Sequence, residues 1–246
     1  MRLLHAKILD FHDFEGSNIP CYAILSHRWE EGEITYQDMQ SPLCRLEGKA
    51  GLLKIRQGCQ QAVKDGYDYV WVDTCCIDKT SSAELSEAIN SMYQWYRRSA
   101  VCYAYLSDVQ PETVYKTSGV TDLTAQVDAS TISQIRKSKW WTRGWTLQEL
   151  IAPREIKFFG SGRSGWLEIG DKMSLLDVIV ERSGVHESVL WGADVQEFSI
   201  AMRMSWASDR ETTRPEDLAY CLLGIFGVNM PLLYGEGERA FLRLQV

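Results

Sequence analysis

Four short, nearly continuous runs of apolar residues punctuate the first two thirds of the chain, at 21–26, 69–73, 101–106 and 155–159. Uninterrupted apolar runs of this length suit strands covered on both faces, since a half-exposed strand would alternate apolar and polar positions. Between them the period becomes helical. Leu52, Ile55, Cys59 and Ala62 form one stripe over 51–64, with Gly66 as a stop. Leu85, Ile89, Met92 and Tyr96 form another over 81–98, where Ser81 and Glu84 have the spacing of a capping box. Strand, helix, strand, helix, strand predicts an α/β fold with a mainly parallel sheet flanked by helices.

The pattern changes twice more. Residues 110–135 are rich in Ser, Thr, Val and Asp with little periodicity, which predicts a long loop or insertion. Beyond Gly160 the expected elements are helices: one through Leu175, Leu176 and Ile179, and one through Ile200, Met204 and Ala207. A third is opened by Thr213 and Pro215 and faced by Leu218, Cys221, Leu222 and Ile225; a last one runs from Glu236 through Phe241 and Leu244. The expected organisation is an α/β core over 1–165 and a helical extension over 166–246 packed on it.

Composition narrows the class. A chain of 246 residues, 45% hydrophobic and 24% charged, can bury a core without disulfides or metal. Its net charge of −7 and the absence of a dense Lys/Arg run argue against nucleic acid as a partner. Seven Cys without a C-x-x-C pair read as reduced thiols of a cytosolic protein, and four scattered His predict no structural metal. The uncharged stretch 218–234 is broken by Gly224, Gly227, Asn229 and Pro231, so it reads as a buried helix and turn rather than a membrane span.

Ligands of open α/β sheets bind beyond the carboxyl ends of the strands. Ser26-His27-Arg28-Trp29 follows the first run, and Asp73-Thr74-Cys75-Cys76-Ile77-Asp78 closes the second. A hydroxyl, a fixed cation, a large aromatic face and carboxylates together suit a phosphate-bearing, ring-containing ligand. A third stretch, 140–150, carries Trp140, Trp141, Arg143, Trp145 and Glu149. If 142–151 is helical, Trp145 and Glu149 share a face, and the indole helps to desolvate the carboxyl. Each residue also has a plainer reading. Glu149 can lie on a solvated helix face, Arg28 in a surface ion pair and Asp73 at the start of a turn. Cys75 and Cys76 can be core thiols, and the tryptophans can be packing. Gly160 through Gly165 matches G-x-G-x-x-G but opens no periodic helix, and so reads as a loop rather than a dinucleotide fingerprint.

These three stretches resemble, in order, the three motifs of the fungal heterokaryon-incompatibility (HET) domain: 22–29, 71–78 and 143–150. Asp78-Lys79 departs from the Asn-Gln common in that family, and 203–244 resembles the continuation seen where the domain precedes a receptor module. The resemblance implies a TIR-like (flavodoxin-like) fold and an N-terminal effector of a NOD-like receptor, acting in fungal incompatibility and innate immunity through cell death. Residues 138–150 resemble the TIR stretch that carries the catalytic Glu of NAD-cleaving members, which falls on Glu149, while the Cys of that stretch is replaced here by Thr or Gly. The resemblance therefore implies cleavage of the nicotinamide–ribose bond of NAD by Glu149, with Ser26, His27, Arg28, Trp29, Asp73, Cys75, Arg143 and Trp145 around the substrate. No metal or separate cofactor is implied. The implied partners are NAD or a related nucleotide, further copies of the effector, and receptor domains downstream in the full-length chain. The alternative function is a non-enzymatic module that kills by homotypic assembly and recruitment. Membrane disruption is the weaker third, because no strongly basic amphipathic helix is present.

Overall fold

A computed structural model describes residues 1–16, 18–111, 127–163 and 165–245. Among them lies one seven-stranded mixed sheet: β1 (Arg2–His5), β2 (Phe11–Asp13), β3 (Ala23–His27), β4 (Tyr69–Trp71), β5 (Val101–Leu106), β6 (Ile156–Gly162) and β7 (Gly165–Asp171). The order across the sheet is β2-β1-β4-β3-β5-β6-β7. The four strands expected from the apolar runs are β3, β4, β5 and β6, and they pair in parallel. β3 and most of β5 are buried, as continuous apolar runs require. The chain reverses direction across the sheet at β3, whose parallel neighbours are β4 and β5. That is where an open α/β sheet forms a crevice.

The helices, in chain order, are α1 (Tyr36–Met39), α2 (Ala50–Lys64), α3 (Ser82–Arg98), α4 (Ala129–Lys137), α5 (Thr146–Ile151), α6 (Leu176–Ser183), α7 (Glu187–Leu190), α8 (Ile200–Ser205), α9 (Asp217–Tyr220), α10 (Leu223–Phe226) and α11 (Arg239–Leu244). Two of them match the sequence stripes closely. α2 ends before Gly66, whose φ of 88° lies in the left-handed region. α3 begins after Ser81, whose side chain caps Glu84 N–H. The capping box itself does not close. The Glu84 carboxylate instead takes the Arg2 guanidinium and the Asp78 N–H.

Opposite faces of the sheet carry different helices. Tyr103 and Lys157, side by side on β5 and β6, reach Asp65 at the end of α2. On the other face, Tyr96 of α3 packs against Trp71, and the Glu149 carbonyl of α5 meets the Cys102 thiol. The C-terminal helices cover α3. Gly224 of α10 lies so close to Tyr93 that an added Cβ would fall 2.0 Å from the Tyr93 Cβ. The Asn90 amide bonds both backbone groups of Met230.

Several expectations are corrected. β1, β2 and β7 are antiparallel additions at the sheet's two edges that the apolar pattern does not show. Gly160, Gly162 and Gly165 belong to the paired β6–β7 hairpin and not to a free loop, so the sheet continues to Asp171, past the expected core end at 165. Of the expected loop at 110–135, residues 112–126 lie outside the described residues. Residues from Ala129 onward form α4, capped by the Asp128 side chain. Of the expected Ile200, Met204 and Ala207 stripe, Met204 and Ala207 pack half-buried against the core while Ile200 is exposed, and the buried member of α8 is Arg203, which donates to Gln196 and to the Ile225 carbonyl. The helix expected from Thr213 starts at Asp217 and breaks after Tyr220, and the last helix starts at Arg239 rather than Glu236. Helix is also absent from 142–145, where a 3-10 turn over Lys139–Thr142 leads into α5.

Candidate functional site

Strand alternation governs the floor of the site. Successive side chains on β3 point to opposite faces, so Ser26 and His27 point to opposite sides at the strand's carboxyl end. Ser26 enters the α5 side, where its hydroxyl donates to the Glu149 carboxylate at 2.5 Å while accepting the Trp140 indole N–H at 2.9 Å. His27 enters the α2 side, beside Lys54 and Glu33.

Above this floor lies a cleft of about 610 Å³. Glu149 reaches it from α5, Arg28 and Trp29 from the loop after β3, and Asp73 and Lys79 from the loop after β4. Arg143 and Trp145 come from the turn before α5, and the apolar side of α3 contributes Leu85, Ile89 and Met92. The remaining wall is Glu211 to Arg214, Asp217 and Tyr234, all from the C-terminal extension. A backbone bridge joins the two halves: Gly144 N–H donates to the Glu211 carbonyl at 2.8 Å, and Glu211 N–H to the Thr142 carbonyl at 2.6 Å. The buried Arg210 stiffens this joint by donating to the Arg143 carbonyl and the Thr146 hydroxyl.

Glu149 is 4% exposed, and its carboxyl is pushed up to about 8, first by burial and then by the nearby charge of Asp73; Arg143 and the Ser26 hydroxyl act against the shift. A raised carboxyl sharing a cleft with a second carboxyl is the arrangement from which acid–base pairs are built. Lys79 is shifted down, chiefly by burial. The cations sit on Trp29: the Lys79 ammonium lies 3.5 Å and the Arg143 guanidinium 5.0 Å from its ring centroid. The Trp29 indole N–H donates to Asp73 at 2.7 Å. On the extension side, Arg214 lies 4.6 Å from the Tyr234 ring centroid, and the Tyr234 hydroxyl donates to Asp217. The cleft thus offers cations at its rim, flat aromatic surfaces, and a shielded carboxyl in its depth.

The structure brings Arg28, Trp29, Asp73, Arg143, Trp145 and Glu149 together in one cleft, as the sequence suggests. Ser26 and His27 lie behind the wall rather than on it. Cys75 does not reach the cleft. It is fully buried, its thiol is held well above the usual range by the neighbouring Cys76 and by burial, and the plainer reading as a core thiol fits it. Sequence reasoning missed Lys79 and the extension's Arg214, Asp217 and Tyr234. Lys79 had a signal, since it is the position that departs from the family's usual Asn-Gln. Arg214 had none, being one exposed cation in an irregular segment. Among the described residues no cluster of three or more His, Cys, Asp and Glu has metal-binding geometry, and no helix is long and apolar enough to cross a membrane.

Comparison with known proteins gives one family. The profile of heterokaryon incompatibility protein (HET) matches residues 22–149. Vegetative incompatibility protein HET-E-1 of Podospora anserina is 45% identical over 252 aligned positions, an alignment that takes in all of this chain and 18% of that relative. No solved structure matches.

Proposed function

The chain belongs to the heterokaryon incompatibility (HET) family, and from that membership and the cleft's chemistry we propose that it is the cell-death effector part of a fungal incompatibility protein, acting by hydrolysis of the nicotinamide–ribose bond of NAD. The observation that carries this reading is the buried Glu149 carboxyl at the base of a dinucleotide-sized cleft with Arg28, Lys79, Arg143 and Arg214 around it.

The bond to be broken joins a positively charged pyridinium to ribose C1′. Nicotinamide leaves neutral, and positive charge moves onto the sugar. An ionised carboxylate fixed beneath the ring stabilises that charge without reorganising, and a desolvated site makes the interaction stronger than water would allow. Ser26, itself held by Trp140, fixes the orientation of Glu149. The rim arginines and Lys79 neutralise the pyrophosphate, and Trp29 and Trp145 supply faces for ring stacking. Asp73 holds the Trp29 indole in the wall.

The test is direct. Concentrated protein incubated with NAD should release nicotinamide, and Glu149→Gln should slow release by a factor of about 100 or more. Equal release from the two proteins removes Glu149 from this role, and none from wild type removes the enzymatic reading. In the second case the rival stands, a module that kills by assembly alone. Because the chain spans 18% of its relative's length, the further domains of a full-length protein, self-association through the effector and a TIR-like ancestry belong to the same proposal. On that reading, clustering of effectors raises activity per chain.

A further inference from the structure

Behind the cleft wall, His27 occupies an unusual setting. Its side chain is 1% exposed and stands between two carboxylates: Nδ1 is 3.8 Å from Asp73 Oδ1, and Nε2 is 3.6 Å from Glu33 Oε2. Both ring nitrogens and both facing oxygens are buried without a hydrogen-bond partner among the described residues. The other oxygen of each carboxylate is committed. Glu33 Oε1 takes the Lys54 ammonium and the Glu30 N–H, and Asp73 Oδ2 takes the Trp29 indole. Burial first and the charge of Lys54 second lower the affinity of His27 for a second proton, against the opposing pull of Glu33 and Asp73. A neutral imidazole has one N–H to offer two acceptors. One additional proton turns the ring into a donor at both nitrogens and sets an imidazolium between the two carboxylates at ion-pair separations of 3.8 and 3.6 Å. Unpaired buried polar atoms of this kind cost free energy and call for an explanation.

The reaction proposed above, on which this inference rests, releases one proton. Water's oxygen forms a bond to ribose C1′ as the C1′–N bond breaks. The electron pair of the broken bond neutralises the pyridinium, and one proton of the attacking water must leave. We propose that Asp73, which lines the cleft, is the base that takes this proton, and that His27, with its N–H at Nε2 towards Glu33, is the positioning residue behind it: its bare Nδ1 receives the proton from Asp73, and the new N–H then holds the Asp73 carboxylate. The resulting imidazolium lies between Asp73 and Glu33, both ionised, with Lys54 balancing Glu33. Glu149 stabilises the sugar cation throughout, so the two cleft carboxylates have separate tasks.

This division of labour separates two nucleophiles. Water must lose a proton to complete its attack, whereas a substituted pyridine attacking the same carbon has none to lose. Nicotinamide release into water and exchange of nicotinamide for a substituted pyridine are therefore measured side by side. The expected result for His27→Gln and for Asp73→Asn is a fall in hydrolysis of about 100-fold, a KM for NAD within threefold of wild type, and a rise in the ratio of exchange to hydrolysis of at least tenfold. Glu149→Gln should depress both reactions and leave the ratio near its wild-type value. An unchanged ratio in the His27 and Asp73 variants overturns the inference while leaving the glycohydrolase reading intact, as does undiminished hydrolysis. Absence of any nicotinamide release from wild type overturns both. Should His27→Gln fail to fold, Asp73→Asn decides alone, because its amide oxygen still accepts the Trp29 indole.

Discussion

At the scale of single residues, Glu149 links stability to chemistry. Its carboxyl is raised to about 8 by burial first and by Asp73 second, so at neutral pH it is mostly protonated. Only the ionised form stabilises a sugar cation. The value of kcat/KM for nicotinamide release should therefore climb nearly tenfold per pH unit between pH 6 and 7.5 and level off above 8, since that parameter reports the free enzyme. A flat profile over this range counts against Glu149 in the role. Stability runs the other way. The folded-state affinity for the proton exceeds that of the unfolded chain, so the favourable difference is complete below the unfolded value and is lost as pH rises towards 8. At pH 7 wild type carries a penalty of up to roughly 3 kcal/mol that Glu149→Gln, a neutral isostere, does not. The variant should unfold at higher urea than wild type at pH 7, with the gap closing towards pH 4. Glu149 was legible in the sequence through the motif that carries it, and Trp145, which the same motif supplies, lines the same cleft. Its partner Ser26 lies 123 positions away, and only the sheet brings them together. Strand alternation puts Ser26 and His27 on opposite faces, but no local pattern could show that the Ser26 hydroxyl meets the Glu149 carboxyl or that His27 stands between Asp73 and Glu33.

Among the elements, the ones read best bury one uniform face. β3, β5 and α3 announce themselves because their apolar positions meet a continuous core. β2 is a three-residue edge strand and its neighbour β1 has only four residues, of which Leu3 and Leu4 alone are buried; the two are joined by a turn in which Leu9 has a φ of 60°, so no run of apolar residues marks them. The extension was misread for a related reason. Its helices are only four to eight residues long, and polar anchors such as Arg203 and Asn90 hold it in place of a periodic stripe. One contact shows how tightly these elements fit. At Gly224 an added methyl would lie 2.0 Å from the Tyr93 Cβ and 2.3 Å from its Cγ, both close to the backbone of α3 and unable to swing aside. Gly224→Ala should destabilise by about 2–3 kcal/mol, the upper part of the overpacking range, and lower the melting temperature by about 5–10 °C. Because Met92, the adjacent residue of α3, lines the cleft, affinity for a nucleotide should weaken in parallel. An unchanged melting temperature would mean that α10 does not sit on α3 as described.

For the molecule as a whole, the cleft belongs neither to the sheet nor to the extension alone. The family profile ends at Glu149, yet Glu211 to Arg214, Asp217 and Tyr234 supply one wall. The two parts are joined at Gly144, where a Cβ would collide with Thr212 at 2.5 Å, so glycine permits the chains to meet. A chain cut after Asp171 keeps every strand and all three motifs. It loses the wall, the Arg210 brace beneath α5, and the cover that Gly224 and Met230 give to Tyr93 and Asn90 of α3. Such a chain should bind a hydrophobic dye, lose nicotinamide release by at least the factor seen for Glu149→Gln, and unfold at lower denaturant than the 246-residue chain. A monomeric 1–171 fragment with full activity would show instead that the catalytic geometry is complete within the motif-bearing part and that the extension only shelters it. The predicted loss arises from where the charges lie: without the extension, Glu149 and Asp73 face open water, the burial that raises Glu149 disappears, and the field that the carboxylates and rim cations exert on a bound dinucleotide is screened.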